Sequence, residues 1–386
     1  CRVQQIAAHR WGSKPGRTYP SVPGAAWAAC APVVCDVETD GEFAIYLSGS
    51  TAPASNPGEP LALPEDHLAL LAVVACIVQS VRKLHDLKHC RSGMQEFFPK
   101  PIRDLILRHG PAEVFKTEQA QAAVLFCDLR GSSKFAEKQA GDLLSAWERI
   151  KAALSVMTEA ITNQYGSIGD FQGDAAMGFW GWPHPDQSGG RLADSVKAAC
   201  QAADTLRERF LQKSLGHGPL ADFACGIGIA AGPVVAGMLG TDDQRKIGVF
   251  GPVVNLAARL ESMTKQIGAS ILLDQRCYDV LAETESPLAD RIRFIAAIQP
   301  AGMGQAVRVY ELMLPASNSK SLPGNLVKLY EVAQEAFVRG DWREARKALQ
   351  KPCQADDGPA KFLLKHIEER QTPPANWDGR VVLTSK

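Results

Sequence analysis

Apolar positions recur along this chain in two rhythms, and the places where the rhythm changes divide it. Residues 1 to 65 are rich in Gly, Pro, Ala and Ser, with one strand-like stretch, EFAIYLSGS at 42 to 50, and a proline-bearing loop, APASNPGEP; that is too little for a core of its own. After PEDH, whose acids suit a first helical turn, the pattern predicts a helix over about 67 to 92. Its Val74, Ile77, Val81 and Leu84 are spaced 3, 4, 3, which serves a coiled coil and a plain core helix equally well. FFPKPIRDLILRHGP, 97 to 111, breaks that helix at Pro99 and Pro101 and reads as a linker around a short amphipathic helix.

From 121 to 315 strands and helices alternate. QAAVLFCD is strand-like, AGDLLSAWERIKAALSVMTEAITNQYG is a long helix, AAMGFWG a strand, and a helix follows at about 190 to 213. ADFACGIGIAAG, ILLD and VRVYELM read as strands, with VNLAARLESMTKQIG as a helix between the first two. Such alternation indicates an α+β fold, an α/β sandwich with a covered sheet. Beyond 321, LVKLYEVAQEAFVRGDWREARKALQ reads as two amphipathic helices joined at Gly340-Asp341, one helical-hairpin unit, too few for a solenoid. A cap or a docking element for a protein partner is the expected role.

Composition narrows the classes. At 386 residues, 46% hydrophobic and 22% charged, the chain is long enough for two or three domains. Its 42 basic and 42 acidic residues cancel, so no basic excess argues for nucleic acid or an anionic membrane, and any phosphate must be held locally. Ten cysteines carry no C-x-x-C pair and several sit in apolar runs, the pattern of buried thiols in a reducing cytoplasm. The longest apolar run, LALLAVVACIV at 68 to 78, is about half of a membrane span. No signal peptide is visible; the chain begins at Cys1, so an anchor upstream stays open.

The chemistry concentrates where apolar strands end on acids. Asp128 closes VLFCDLRGS, and Asp174 sits in GDFQGDAAMGFWG. Alone, each also reads as a cap or a solvated turn. Together, two carboxylates at neighbouring strand ends can hold hard divalent cations, with water and substrate phosphates completing the shell. The turn after Asp128 offers free amides at a helix start, Gly131, Ser132 and Ser133, as a phosphate site. Asn255 and Arg259, four apart, share one helix face, so an amide and a guanidinium can address one ligand.

These four blocks, VLFCDLRGS, GDFQGDAAMGFWG, GIGIAAGPVVAGMLG and GVFGPVVNLAARLES, resemble in kind and order the class III nucleotidyl cyclases. The resemblance covers about 121 to 315 and implies a ferredoxin-like βαββαβ core. By it, Asp128 and Asp174 match the two metal-binding aspartates, and Leu129 the position whose backbone carbonyl touches a metal. Asn255 matches the ribose-orienting asparagine and Arg259 the transition-state arginine. It further implies two Mg²⁺ or Mn²⁺ ions, a nucleoside triphosphate substrate, and a homodimer whose sites are shared between protomers.

The activity implied is conversion of ATP to 3',5'-cyclic AMP and pyrophosphate, with a guanylate cyclase or an inactive nucleotide-binding regulatory homologue as alternatives. The chain also departs from the family. Asp170 stands where the base-reading lysine is usual, Pro252 where its Asp or Thr partner is, and Ala301 where a triphosphate-binding lysine is; Lys246 or Arg245 would have to supply the missing positive charge. The N-terminal part resembles the end of a GAF-type sensor domain. The domains expected are therefore 1–92 as a partial GAF-like sensor end and signalling helix, 93–120 as linker, 121–315 as the cyclase domain and 321–386 as a TPR-like helical tail.

Overall fold

The computed structural model describes residues 7–9, 27–33, 43–49, 65–94, 100–132, 135, 137, 141–183, 191–213, 220–221, 223–241, 245–302 and 304–383. They fall into two units, Cys1–Glu96 and Phe97–Lys386. In the first, β1 (Ala7–His9), β2 (Trp27–Val33) and β3 (Phe43–Gly49) form an antiparallel sheet in that order. The expected strand at 42 to 50 is β3, whereas WAACAPV of β2 was missed because alanine and proline carry little strand signal. The helix α1 (Glu65–Met94) lies against β2 and β3, with Leu71 and Ala75 buried. The loop at 52 to 60 lies outside the described residues.

The second unit begins earlier than the alternating pattern did. Helices α2 (Lys100–His109) and α3 (Pro111–Val114) occupy the segment read as linker, and Ile102, Ile106 and Phe115 are buried there. Strand β4 (Glu118–Arg130) then opens a run of α4 (Leu143–Asn163), β5 (Ser167–Gln172), β6 (Ala175–Trp180), α5 (Leu192–Lys213) and β7 (Ala224–Gly240). These strands lie in the order β7-β4-β6-β5, all antiparallel neighbours, which is a ferredoxin-like βαββαβ sheet. Leu125, Cys127 and Leu129 of β4 face a core built with Met157 and Ile161 of α4 and Leu206 of α5. Because side chains alternate along a strand, Phe126 and Asp128 face the opposite side.

That opposite side is covered by α6 (Pro252–Ile267), reached through β8 (Arg245–Phe250), which pairs with β7. After β9 (Ile271–Asp274) and α7 (Gln275–Glu283), strands β10 (Ile292–Gln299) and β11 (Val307–Leu312) extend the sheet. The tail holds more than a hairpin. Helices α8 (Gly324–Arg339) and α9 (Trp342–Gln354) turn at Gly340, whose φ is +84°, with Asp341 capping the second, as the sequence predicts. A third helix, α10 (Gly358–Arg370), and a strand, β12 (Arg380–Val382), follow, and β12 pairs in parallel with β10 at the sheet's edge. Among the described residues no helix is long and apolar enough to cross a membrane.

Candidate active site

Strand register brings the two acids together. Cys127 of β4 pairs with Ala176 of β6, so Asp128, near the end of β4, and Asp174, in the turn that leads into β6, have backbones within about 10 Å of one another, from strand spacing and rise. Gly173, at φ +64°, makes the tight turn that presents Asp174. Burial, and then the charge of Asp174, hold the Asp128 carboxyl above the usual carboxylate range, while a hydrogen bond from the Leu129 backbone opposes the rise. A divalent cation between the two acids would relieve that repulsion, so the donor set fits one. Among the described residues no group of three or more His, Cys, Asp or Glu is arranged to hold a metal. The remaining ligands would be water, phosphate oxygens and the Leu129 carbonyl.

The turn after Asp128 is built as expected. Gly131 adopts φ +91°, Ser132 starts the helix, and the Phe135 amide donates to the Gly131 carbonyl at 3.0 Å. Ser132 is buried and its hydroxyl donates to the Leu129 carbonyl at 3.4 Å, so one lone pair of that carbonyl remains for another partner. Ser133 lies outside the described residues.

Helix α6 serves two directions. Val253, Ala257, Leu260, Thr264 and Ile267 are buried, leaving Asn255 exposed and Arg259 half-buried on another face. The Arg259 guanidinium reaches the turn between β10 and β11, 3.9 Å from where a Cβ on Gly302 would stand, next to Ala301. Glu261 lies about 200° round the helix from Arg259. Its Oε1 comes within 2.8 Å of where a Cβ on Gly226 would be, and Gly226 is the register partner of Asp128. Glu261 is pushed up to about 7, first by burial and then by Asp128, with Arg130 opposing. The sequence reading missed it, since a helical acid two residues past an arginine looks like a solvated position.

A cleft of about 350 Å³ lies beside these residues, lined by Phe126, Asp170, Met177, Lys246, Val254 and Asn255 among others. Asp170 on β5 and Lys246 on β8 form an ion pair at 2.7 Å in it. Pro252 is exposed at the first turn of α6 and does not line this cleft; Gly248 and Val249 do. Of the candidates, then, the fold gathers Asp128, Leu129, Gly131, Ser132 and Asp174 at one end of β4, and Asp170 with Asn255 in the cleft.

This region is similar to known proteins. Residues 114–302 match the family model of the Adenylate and Guanylate cyclase catalytic domain. An adenylate cyclase of Anabaena cylindrica is 29% identical over 233 residues, 58% of this chain and 44% of that one. The adenylyl cyclase CyaB from P. aeruginosa is 23% identical, the match covering 54% of this chain and 100% of that one, with a TM-score of 0.42. The guanylyl cyclase Cya2 is 26% identical, covering 53% and 98%, with a TM-score of 0.40. The chain spans less than half the length of the first curated relatives it matches. Residues 114–302 are thus an adenylate/guanylate cyclase catalytic domain of class III.

Proposed function

We propose that the chain converts ATP to 3',5'-cyclic AMP and pyrophosphate in intracellular signalling, as a homodimer whose two sites each draw on both protomers. The observation that carries this reading is the convergence of Asp128, near the end of β4, and Asp174, in the turn that leads into the neighbouring β6, where the charge of Asp174 adds to burial in raising the Asp128 carboxyl. Two Mg²⁺ or Mn²⁺ ions held there would supply Lewis-acid activation of the ribose 3'-hydroxyl and neutralise phosphate charge. The amides of the turn at Gly131 and Ser132 bind phosphate oxygens. Asn255 orients the ribose, and Arg259 donates to the α-phosphate oxygens as charge develops on them.

The geometry of α6 supports two chains per site. Glu261 faces the β7 position beside Asp128, so Arg259, about 200° away, is carried towards the β10–β11 turn and not towards its own chain's acids. A two-fold partner brings the missing half to each. The α1 seam, with Val74, Ile77, Val81 and Leu84 all exposed, supports the same pairing. The test is to incubate the purified chain with Mn²⁺ or Mg²⁺ and each of the four nucleoside triphosphates, and to identify products by mass spectrometry. Cyclic AMP from ATP is expected; a product from GTP alone, or from none, would overturn the reading.

A further inference from the structure

Past Cys127 the strand that carries the first acid loses one of its neighbours. The β4–β6 register ends at Cys127–Ala176, so among the described residues Asp128, Leu129 and Arg130 pair only with Gly226, Cys225 and Ala224 of β7. A strand end held on one side, running into a left-handed turn at Gly131, needs a further hold if its ligand groups are to keep one geometry. Arg130 supplies it. Side chains alternate along a strand, so Arg130 lies on the face of Asp128, the one that α6 covers. Its Nη2 donates to the Ala269 carbonyl at 2.8 Å, 139 residues further along the chain. Gly226 leaves the path open: a Cβ there would stand 3.4 Å from Arg130 Nε and 2.8 Å from Glu261 Oε1, the opposite charge alongside.

We propose that Arg130 is a positioning residue for the metal pair: by tying the end of β4 to the end of α6, it sets the direction of the Asp128 carboxylate and the Leu129 carbonyl. This rests on the cyclase reading above. The acceptor is a fixed point. Ala269 is 1% exposed and follows Gly268, which ends α6 and packs against Gly358 of the tail. The next residue, Ser270, accepts from the Ile227 amide at 2.9 Å, so the segment is also bound to β7. A cation placed at the C-terminal end of a helix meets the negative end of its dipole, which favours the same contact. The Ser132 hydroxyl, at 3.4 Å from the Leu129 carbonyl, is too long a bond to fix that carbonyl alone. Arg130 touches neither cation nor nucleotide; it acts through the two residues that precede it.

The experiment compares the full chain with Arg130→Met, which loses the donor, and Arg130→Lys, which keeps a cationic donor. Mn²⁺ affinity is measured without nucleotide, from the electron paramagnetic resonance signal of the free ion, beside the Mn²⁺ and ATP dependence of cyclic AMP formation and the melting temperature. Arg130→Met should weaken Mn²⁺ binding about 10- to 100-fold, the loss usual when a group that orients a metal ligand is removed. KM for ATP at saturating Mn²⁺ should stay within about twofold of wild type, and Arg130→Lys should recover part of the Mn²⁺ affinity. Where Arg130→Met does not fold, Arg130→Gln, a shorter donor without charge, reads the same loss. A lower melting temperature with Mn²⁺ affinity within about twofold of wild type makes Arg130 structural only and overturns the proposal. Tighter Mn²⁺ binding overturns it too, being the result of removing a mere positive charge near the acids. If the wild-type chain makes no cyclic product, the cyclase reading fails on its own; the binding isotherms still decide the role of Arg130.

Discussion

Gly268 and Gly358 meet backbone to backbone: a Cβ on Gly358 would stand 2.2 Å from the Gly268 carbonyl oxygen. Gly268 ends α6 at φ +77°, and Gly358 starts α10, so the tail rests on the C-terminal end of the helix that carries Asn255 and Arg259. Gly358→Ala should destabilise the chain by about 1–3 kcal/mol through overpacking and lower cyclase activity with it. Gly304→Ala, with nothing within 4 Å, should change neither. Thermal melts and activity of the two variants side by side check this.

The same joint is held by charge. Arg293 on β10 donates from Nε to Glu311 at 2.7 Å and to Asp357, the residue before α10, through both terminal nitrogens Nη1 and Nη2, and its guanidinium lies 4.4 Å over the Tyr330 ring. Asp357 is 8% exposed. Asp357→Ala leaves a buried arginine short of a partner, and a loss of about 3–5 kcal/mol is expected by urea unfolding. A loss under about 1 kcal/mol would mean the network is not what fixes the tail.

Glu261 gives the domain a pH signature. Its carboxyl rises from an ordinary value of 4.5 to about 7 on folding, with burial as the main cause. The folded state then binds more protons than the unfolded one between those values, so stability without divalent metal should fall as pH rises from about 4.5 to 7 and level off above. Glu261→Gln should flatten that fall. Denaturant midpoints at a series of pH values, in EDTA, check the sign.

How much of this was legible depends on how each residue makes its signal. Asp128 and Asp174 stand out because an acid ending an apolar strand breaks the strand's own pattern, and the hairpin at Gly340-Asp341 because each residue has a local conformational reason. Glu261 gives no such signal, because its role comes from Gly226 and Asp128 across the sheet. IRFIAAIQ of β10 was missed because a bulge between Phe294 and Ala296 interrupts its alternation. RVV of β12 is too short to show any period. The missing positive charge near Asp170 could be suspected in Lys246 from sequence, but only the β7–β8 pairing brings it there.

On α1, Leu70, Val74, Ile77, Val81 and Leu84 are 37–59% exposed, while Leu71 and Ala75 face the sheet. Val81→Glu should weaken self-association of the chain and lower activity together, without lowering the melting temperature of the catalytic unit. Sedimentation at a range of concentrations reads the first effect directly, and an unchanged dimer would show the seam to be idle.

The central claim is that one active site is assembled from the acids of one chain and the α6 face of another. Asp128→Ala and Arg259→Ala, each purified and each folded by circular dichroism, should be inactive alone with Mn²⁺ and ATP. Mixed in equal amounts and allowed to exchange, they should recover up to about a quarter of wild-type cyclic AMP formation, since half the dimers would then carry one intact site of two. No recovery in a mixture shown to contain heterodimers would contradict the account.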